Sequence, residues 1–360
     1  MQVTGTLQRE AWIEGVIPPV ELVRPGLWSI PVPIPDNPLR YVLVYALELD
    51  SGVALIDAGW DTPEAWTALN DGLAIAGGSV GDVRAVVVTH IHPDHYGLAG
   101  RVREASGAWI GLHPADAALL VGRYVDTDGL IASMAELLEV CGVPSDLVPG
   151  LAGSSMQIRS FVRMAPPDRL IEGGETLELA GWDLRAVWTP GHSPGHLCFH
   201  SPSRRLVLSG DHVLPRISPN IAVHSQQIAN PLADYLTSLG TVEHLECDEV
   251  LPGHEWRFSG LADRVEELRL HHRARLDEIL AALAADDGLT CWELTLRLTW
   301  SRPLELSSSF IQRSASGETL AHLVLLEGEG AVVRTPGRPA RFALAVAPPA
   351  RRDAPGAVVS

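Results

Sequence analysis

The hexapeptide His90-Ile91-His92-Pro93-Asp94-His95 constrains this chain more than any other stretch, because it puts three imidazoles and a carboxylate within six residues. It follows the β-branched run VRAVVVT, which reads as a strand buried on both faces. Nitrogen and oxygen donors of this kind suit a borderline divalent metal. In an extended turn His90 and His92 can point toward one ion. Asp94 and His95, on the way into the next helix, can point toward a second. A polar loop that is merely histidine-rich is the bland alternative.

Three further segments weigh against that alternative. In AVWTPGHSPGH, LVLSGDH and VLPGHE an apolar run, a tight turn and a ligand-capable side chain follow one another, delivering His192, Asp211 and His254. Neighbouring strand ends on one edge of a sheet are where α/β proteins assemble sites. One such histidine is ordinary chance; four strand ends all delivering ligands are not.

THIHPDHYG, TPGHSPGH, SGDH and LPGHE, in this order, resemble the metal-binding motifs of the metallo-β-lactamase superfamily, which includes glyoxalase II. The earlier LIDAG belongs to the resemblance, its Asp57 matching the family's aspartate beneath the metal loop. The likeness spans roughly residues 20–260. It implies an α/β fold, an αββα sandwich with the site at one edge of two sheets. It also implies two divalent metals: His90, His92 and His192 on the first, Asp94, His95 and His254 on the second, with Asp211 bridging. Zinc suits such a shell best, and iron and manganese accept it too. An aspartate at 211 is the pattern of the family's hydrolases and oxidoreductases rather than of its true zinc β-lactamases, so antibiotic hydrolysis is disfavoured. His196 belongs to the extended PGHSPGH pattern and is expected to support the site from behind the ligands, as Asp57 orients a ligating histidine.

The chemistry such a site implies is hydrolysis. A water shared by metals about 3.5–4 Å apart loses a proton near neutral pH and attacks, while a metal polarises the oxygen under attack. Asp94 or Asp211 is then the catalytic carboxylate that handles the proton, and both stay candidates.

Along the chain, strands and helices alternate to about residue 112, with Pro63 opening a helix after the capping candidates Asp61 and Thr62. Residues 115–168 mix helical pattern with a long polar loop and read as a lid-like insertion in a catalytic domain spanning 1–260. Tyr124, Arg123 and Arg159 lie in it, where packing and surface charge are the default roles. Residues 261–336 read as three helices and a hairpin, a small winged-helix-like module. In its long helix His271 and His272 are expected on a solvated face. Residues 337–360 read as a disordered tail. His113, His212 and His224 lie near the motifs and are expected to be structural or on the surface.

Composition bears on partners and compartment. The 360 residues carry a formal net charge of −17, which disfavours polyanionic partners. All the fixed side-chain cations are arginines. Cys141, Cys198, Cys247 and Cys291 are scattered and read as free thiols of a reducing compartment. With neither a signal-peptide pattern nor a membrane-length apolar run, a cytoplasmic protein is expected.

For the substrate, the apolar content of 115–168 suggests an acyl-binding surface, and a small-molecule ester, thioester or lactone is favoured. The alternative is a phosphodiesterase or endoribonuclease that uses the C-terminal module. Yet residues 261–335 hold eight arginines against twelve acidic residues, the wrong sign for a phosphate reader. A non-enzymatic binding protein on the same fold is a third reading, opposed by the complete ligand set.

Overall fold

In β4 (Tyr41–Leu49) nearly every residue is apolar, a pattern that only a strand covered on both faces can satisfy. The computed structural model, which describes residues 1–345 apart from 228 and 287, shows such a strand. Tyr41, Leu43, Tyr45 and Leu47 face a second sheet, while Val42, Val44 and Ala46 face helices.

Two sheets stack back to back. The first runs in the order β2 (Glu21–Arg24), β3 (Leu27–Pro33), β4, β5 (Gly52–Ile56), β6 (Val83–Val87), β7 (Trp109–Leu112) and β8 (Arg169–Leu170). The second runs β1 (Gln2–Val3), β13 (Phe258–Ser259), β12 (Glu249–Pro252), β11 (Leu206–Gly210), β10 (Leu197–Ser201) and β9 (Arg185–Trp188). The amides of Thr4 and Gly5 extend the β1–β13 pairing by donating to the Arg257 carbonyl at 3.0 Å each. Between the sheets lie Leu27, Ile56, Val87, Leu197, Phe199 and Leu251, among others.

Helices cover both outer faces, which makes four layers. On the first sheet, helix Pro63–Ile75 buries Ala65, Leu69 and Leu73, and Thr62 caps it by accepting from the Ala65 amide at 3.1 Å. On the second, helix Pro231–Glu243 buries Leu232, Tyr235 and Leu239 against Cys198, Val207 and Val250.

Strand direction places the site. Pairs β5–β6, β6–β7 and β11–β12 are parallel, and β9 runs alongside β11 through two antiparallel steps. The C-terminal ends of β5, β6, β9, β11 and β12 therefore lie on one edge, where α/β sheets place their ligands.

The segment 115–168, read as a lid-like insertion, contributes to the core: Met134, Leu138 and Cys141 of helix Thr127–Cys141 recur at helical spacing and join the cluster that holds Ile279, Leu283 and Leu320. Two expectations are corrected. His272 does not face solvent; it is 1% exposed, and its Nδ1 lies 3.1 Å from Nε2 of His322, a partner 50 residues away. The segment from 337 is not disordered at its start. Arg341–Leu344 (β15) pairs with Val332–Thr335 (β14), and Phe342 donates to the Leu289 carbonyl at 2.8 Å. Residues 346–360 of the expected tail lie outside those described.

The C-terminal helices Leu261–Ala285, Cys291–Arg297 and Ser309–Gly328 share one hydrophobic cluster with the second sheet and with the insertion. The four cysteines are free thiols, with Cys247 half-buried and the others buried.

Candidate metal centre

β6 ends at Val87, and the next residues leave the sheet toward the edge shared with β9, β11 and β12. His90 follows at once. Pro93 then opens the short helix Pro93–Tyr96, with His92 at its N-cap, so that Asp94 and His95 turn back toward the same space. His192, Asp211 and His254 arrive from the ends of β9, β11 and β12.

The seven side chains named from the motifs converge. Ligand atoms of His90, His92 and His192 lie within 4.8 Å of one another, and so do those of Asp94, His95 and His254. Asp211 stands between the groups. Its Oδ1 is 3.4 Å from Nε2 of both His95 and His254, and its Oδ2 is 3.6 Å from Nε2 of His192. Asp94 Oδ2 is 3.3 Å from His254 Nε2.

Four of the five imidazoles have one nitrogen committed elsewhere, which sets the one that faces inward. His95 Nδ1 meets Asp57 Oδ2 at 2.8 Å, and His254 Nδ1 meets the Tyr41 carbonyl at 2.9 Å. His192 Nδ1 meets the Asn220 carbonyl at 2.9 Å, and His90 Nδ1 meets the Thr89 hydroxyl at 3.0 Å. His90 Nε2 and His92 Nδ1 face each other at 2.9 Å. Asp57 also accepts from the Thr89 amide at 2.7 Å. Its backbone is left-handed, with φ of 65°, so local strain sits directly beneath the metal loop.

A divalent metal fits this donor set. Nε2 of His95, His192 and His254 and Oδ1 of Asp211 are buried without a hydrogen-bond partner among the described residues, and all four point into the same space. Uncompensated buried polar atoms are costly, and their convergence here matches the nitrogen and oxygen shell of a hard or borderline ion.

The two groups differ electrically. Burial, reinforced by neighbouring imidazoles, holds His90 and His92 well below the ordinary histidine range. Burial also acts against charge on His95 and His254, but carboxylates overcome it. Asp211, Asp57 and Asp94 raise His95 well above that range, and Asp211 and Asp94 raise His254 to about 10. Despite its own burial, Asp211 is held well below the usual carboxylate range by His254 and His95.

The description of the metallo-beta-lactamase superfamily matches residues 37–254, more than half of the chain, a span that includes every candidate ligand named above. The chain belongs to the metallo-beta-lactamase superfamily. A solved metallo-beta-lactamase family protein from Thermus thermophilus is 34% identical, with a TM-score of 0.77, covering 90% of this chain and 100% of its own. Coverage that high extends past residue 260, into the C-terminal region. A Bacillus subtilis protein named "Probable metallo-hydrolase YqjP" is 29% identical over 81% of this chain and 89% of its own length. "Thioesterase pkgB" of Emericella nidulans is 32% identical over 33% of each chain.

Within this superfamily member, His196 takes a defined place behind the ligands. Its Nε2 accepts from the Asp211 amide at 3.2 Å, and its Nδ1 pairs with the Thr189 hydroxyl at 2.8 Å. Tyr124 is buried and donates to the Ile91 carbonyl at 2.6 Å, while Arg159 donates to the Thr127 hydroxyl at 2.8 Å. His113 caps a short helix and stacks on Trp188, and His212 packs against Tyr235. Sequence reading missed Thr89, the carbonyls of Tyr41 and Asn220, and Asp116. None is in a metal motif except Thr89, and carbonyl partners leave no mark in residue type.

Proposed function

We propose that this chain is a dinuclear metal-dependent hydrolase of carboxylic esters or thioesters, acting on a small acyl substrate such as an acyl-thioester or a lactone, with zinc as the metal. The observation that carries the reading is Asp211, whose two oxygens face separate three-residue ligand groups. His90, His92 and His192 would hold one ion, Asp94, His95 and His254 the other, and Asp211 would join them. When bound, such a pair acidifies water and polarises a carbonyl. The protein's own part is preorganisation: Asp57, Tyr41, Asn220 and Thr89 orient the rings of His95, His254, His192 and His90 before any ion arrives. Asp94 is the more exposed of the two carboxylates, with 15% of its side chain accessible against 9% for Asp211. It is the better placed to pass a proton to solvent. The name of the Emericella relative supports a thioester, and so does the acidity of the chain, which repels long polyanions.

The C-terminal helices and hairpin follow the order of a winged helix, but their packing opposes nucleic-acid reading. The third helix, the one that would enter a groove, buries Ala315, Ser316, Thr319, Leu320, Ala321 and Leu323. Among the described residues no helix is long and apolar enough to cross a membrane.

The test is elemental analysis followed by turnover on thioester, lactone and structured-RNA panels, each with and without chelator. Near two metals per chain and chelator-sensitive acyl turnover support the reading. RNA cleavage without acyl turnover overturns it.

A further inference from the structure

Asp116 is fully buried, in the first turn of the short helix Pro114–Ala117 that opens the insertion. It forms no ion pair among the described residues and is not a candidate ligand. Its carboxylate is nonetheless filled with donors. Oδ2 accepts from the Ile91 amide at 2.8 Å and from the Ser193 hydroxyl at 2.8 Å, and Oδ1 accepts from the Gly195 amide at 2.7 Å. Ile91 lies between His90 and His92; Ser193 adjoins His192. Every donor to Asp116 therefore sits on a loop carrying one of the three all-imidazole ligands.

A second observation comes from Gly195. A Cβ on this residue would lie 2.7 Å from Asp116 Cγ, Oδ1 and backbone nitrogen, closer than real contacts allow. Both the serine and the second glycine of PGHSPGH are thus explained by the need to receive Asp116. Burial pushes its carboxyl up, and the bonds from Ser193, Ile91 and Gly195 act the other way.

We propose that Asp116 is a positioning residue for the metal centre, clamping the His90–His92 loop from the first sheet against the His192 loop from the second. It rests on the metal-centre reading above and concerns one half of the site only. His95 and His254 take their orientation from Asp57 and Tyr41, not from Asp116.

The experiment compares purified wild-type and Asp116→Ala proteins by competitive chelator titration with zinc and by the absorption spectrum of the cobalt-substituted forms. Loss of an outer hydrogen bond to a ligand framework typically weakens metal affinity about 10- to 100-fold. The expected result is a weakening of this size for one metal equivalent, an altered cobalt band, and a second equivalent unchanged. Asp116→Asn should weaken the same equivalent, because an amide brings a donor where the site already offers only donors.

Should Asp116→Ala fail to fold, Gly195→Ala and Ser193→Ala replace it. The first displaces the carboxylate and should mimic its loss; the second removes one of three bonds and should weaken the same equivalent less. Unchanged affinity and cobalt spectrum in the folded variants overturn the proposal, as does equal weakening of both equivalents. A wild-type protein that binds no metal overturns the metal-centre reading itself, before any variant is compared.

Discussion

The two halves of the centre are built from opposite materials. One half consists of His90, His92 and His192, imidazoles whose pKa values burial holds down, helped at His90 and His92 by neighbouring rings. The other sets His95 and His254 among Asp57, Asp94 and Asp211, where carboxylates hold protons on the rings. On the dinuclear reading proposed above, an ion entering the first half would meet rings free of protons, and one entering the second would have to displace them. The same fold edge thus presents two different costs to an incoming cation, and Asp211 belongs to both.

Asp211→Ala tests that shared membership most severely. Metal content by elemental analysis should fall for both equivalents, and kcat should drop by at least about a thousandfold, on the scale of removing an essential electrostatic group. Retention of one full equivalent would show that the halves are independent.

Asp57→Asn separates them. Among the candidate ligands it touches His95 alone, at 2.8 Å, and reaches His90 only through Thr89, so the affinity of one equivalent should fall about 10- to 100-fold while the all-imidazole half changes less. Chelator titration reads both values.

Acidity gives a third, smaller contrast. In metal-free protein the pKa of His254 stands near 10, above its unfolded value, so its protonation stabilises the fold fully below about 6.5, a benefit lost as pH rises through 10. Binding to this half at pH 7 should release that proton and the one on His95, whose pKa the same carboxylates raise. Calorimetric titration in buffers of different ionisation enthalpy should find proton release for one equivalent and little for the other. Affinity for the first should weaken by up to about a hundredfold per pH unit lost, about tenfold for each proton released. Equal proton release from both would erase the distinction.

The smallest effect is a control far from the edge. Thr62→Ala removes a helix cap and should cost about 1 kcal/mol of stability in chemical denaturation, with both metal affinities intact.

How legible each half was follows from where its residues lie in the chain. His90 to His95 can be read directly because a single loop carries them. His192, Asp211 and His254 can be read because each follows a strand and a glycine turn. What holds them could not be read so easily. Asn220 and Tyr41 act through carbonyls that every residue owns, and Asp116 stands in a featureless PADA segment 25 residues from its nearest partner. His272 misled for the same reason: its helix is charged on several faces, and the residues that cover it, His322 and Tyr235, are distant in the chain. The layers followed from apolar alternation, whereas the membership of the insertion and the C-terminal helices in one core depends on tertiary packing that local pattern does not encode.

The pairing of β1 with β13 has a consequence for how the chain is made. Residues 2–5 find their partners only at 257–259, and the parallel neighbours β11 and β12 are themselves separated by the helix Pro231–Glu243. On the ribosome the first sheet can complete most of its pairing long before the second closes. A nascent chain halted near residue 245 should therefore hold a protease-resistant first sheet beside an open edge at β11. That edge is a template for unwanted pairing until the rest of the chain emerges.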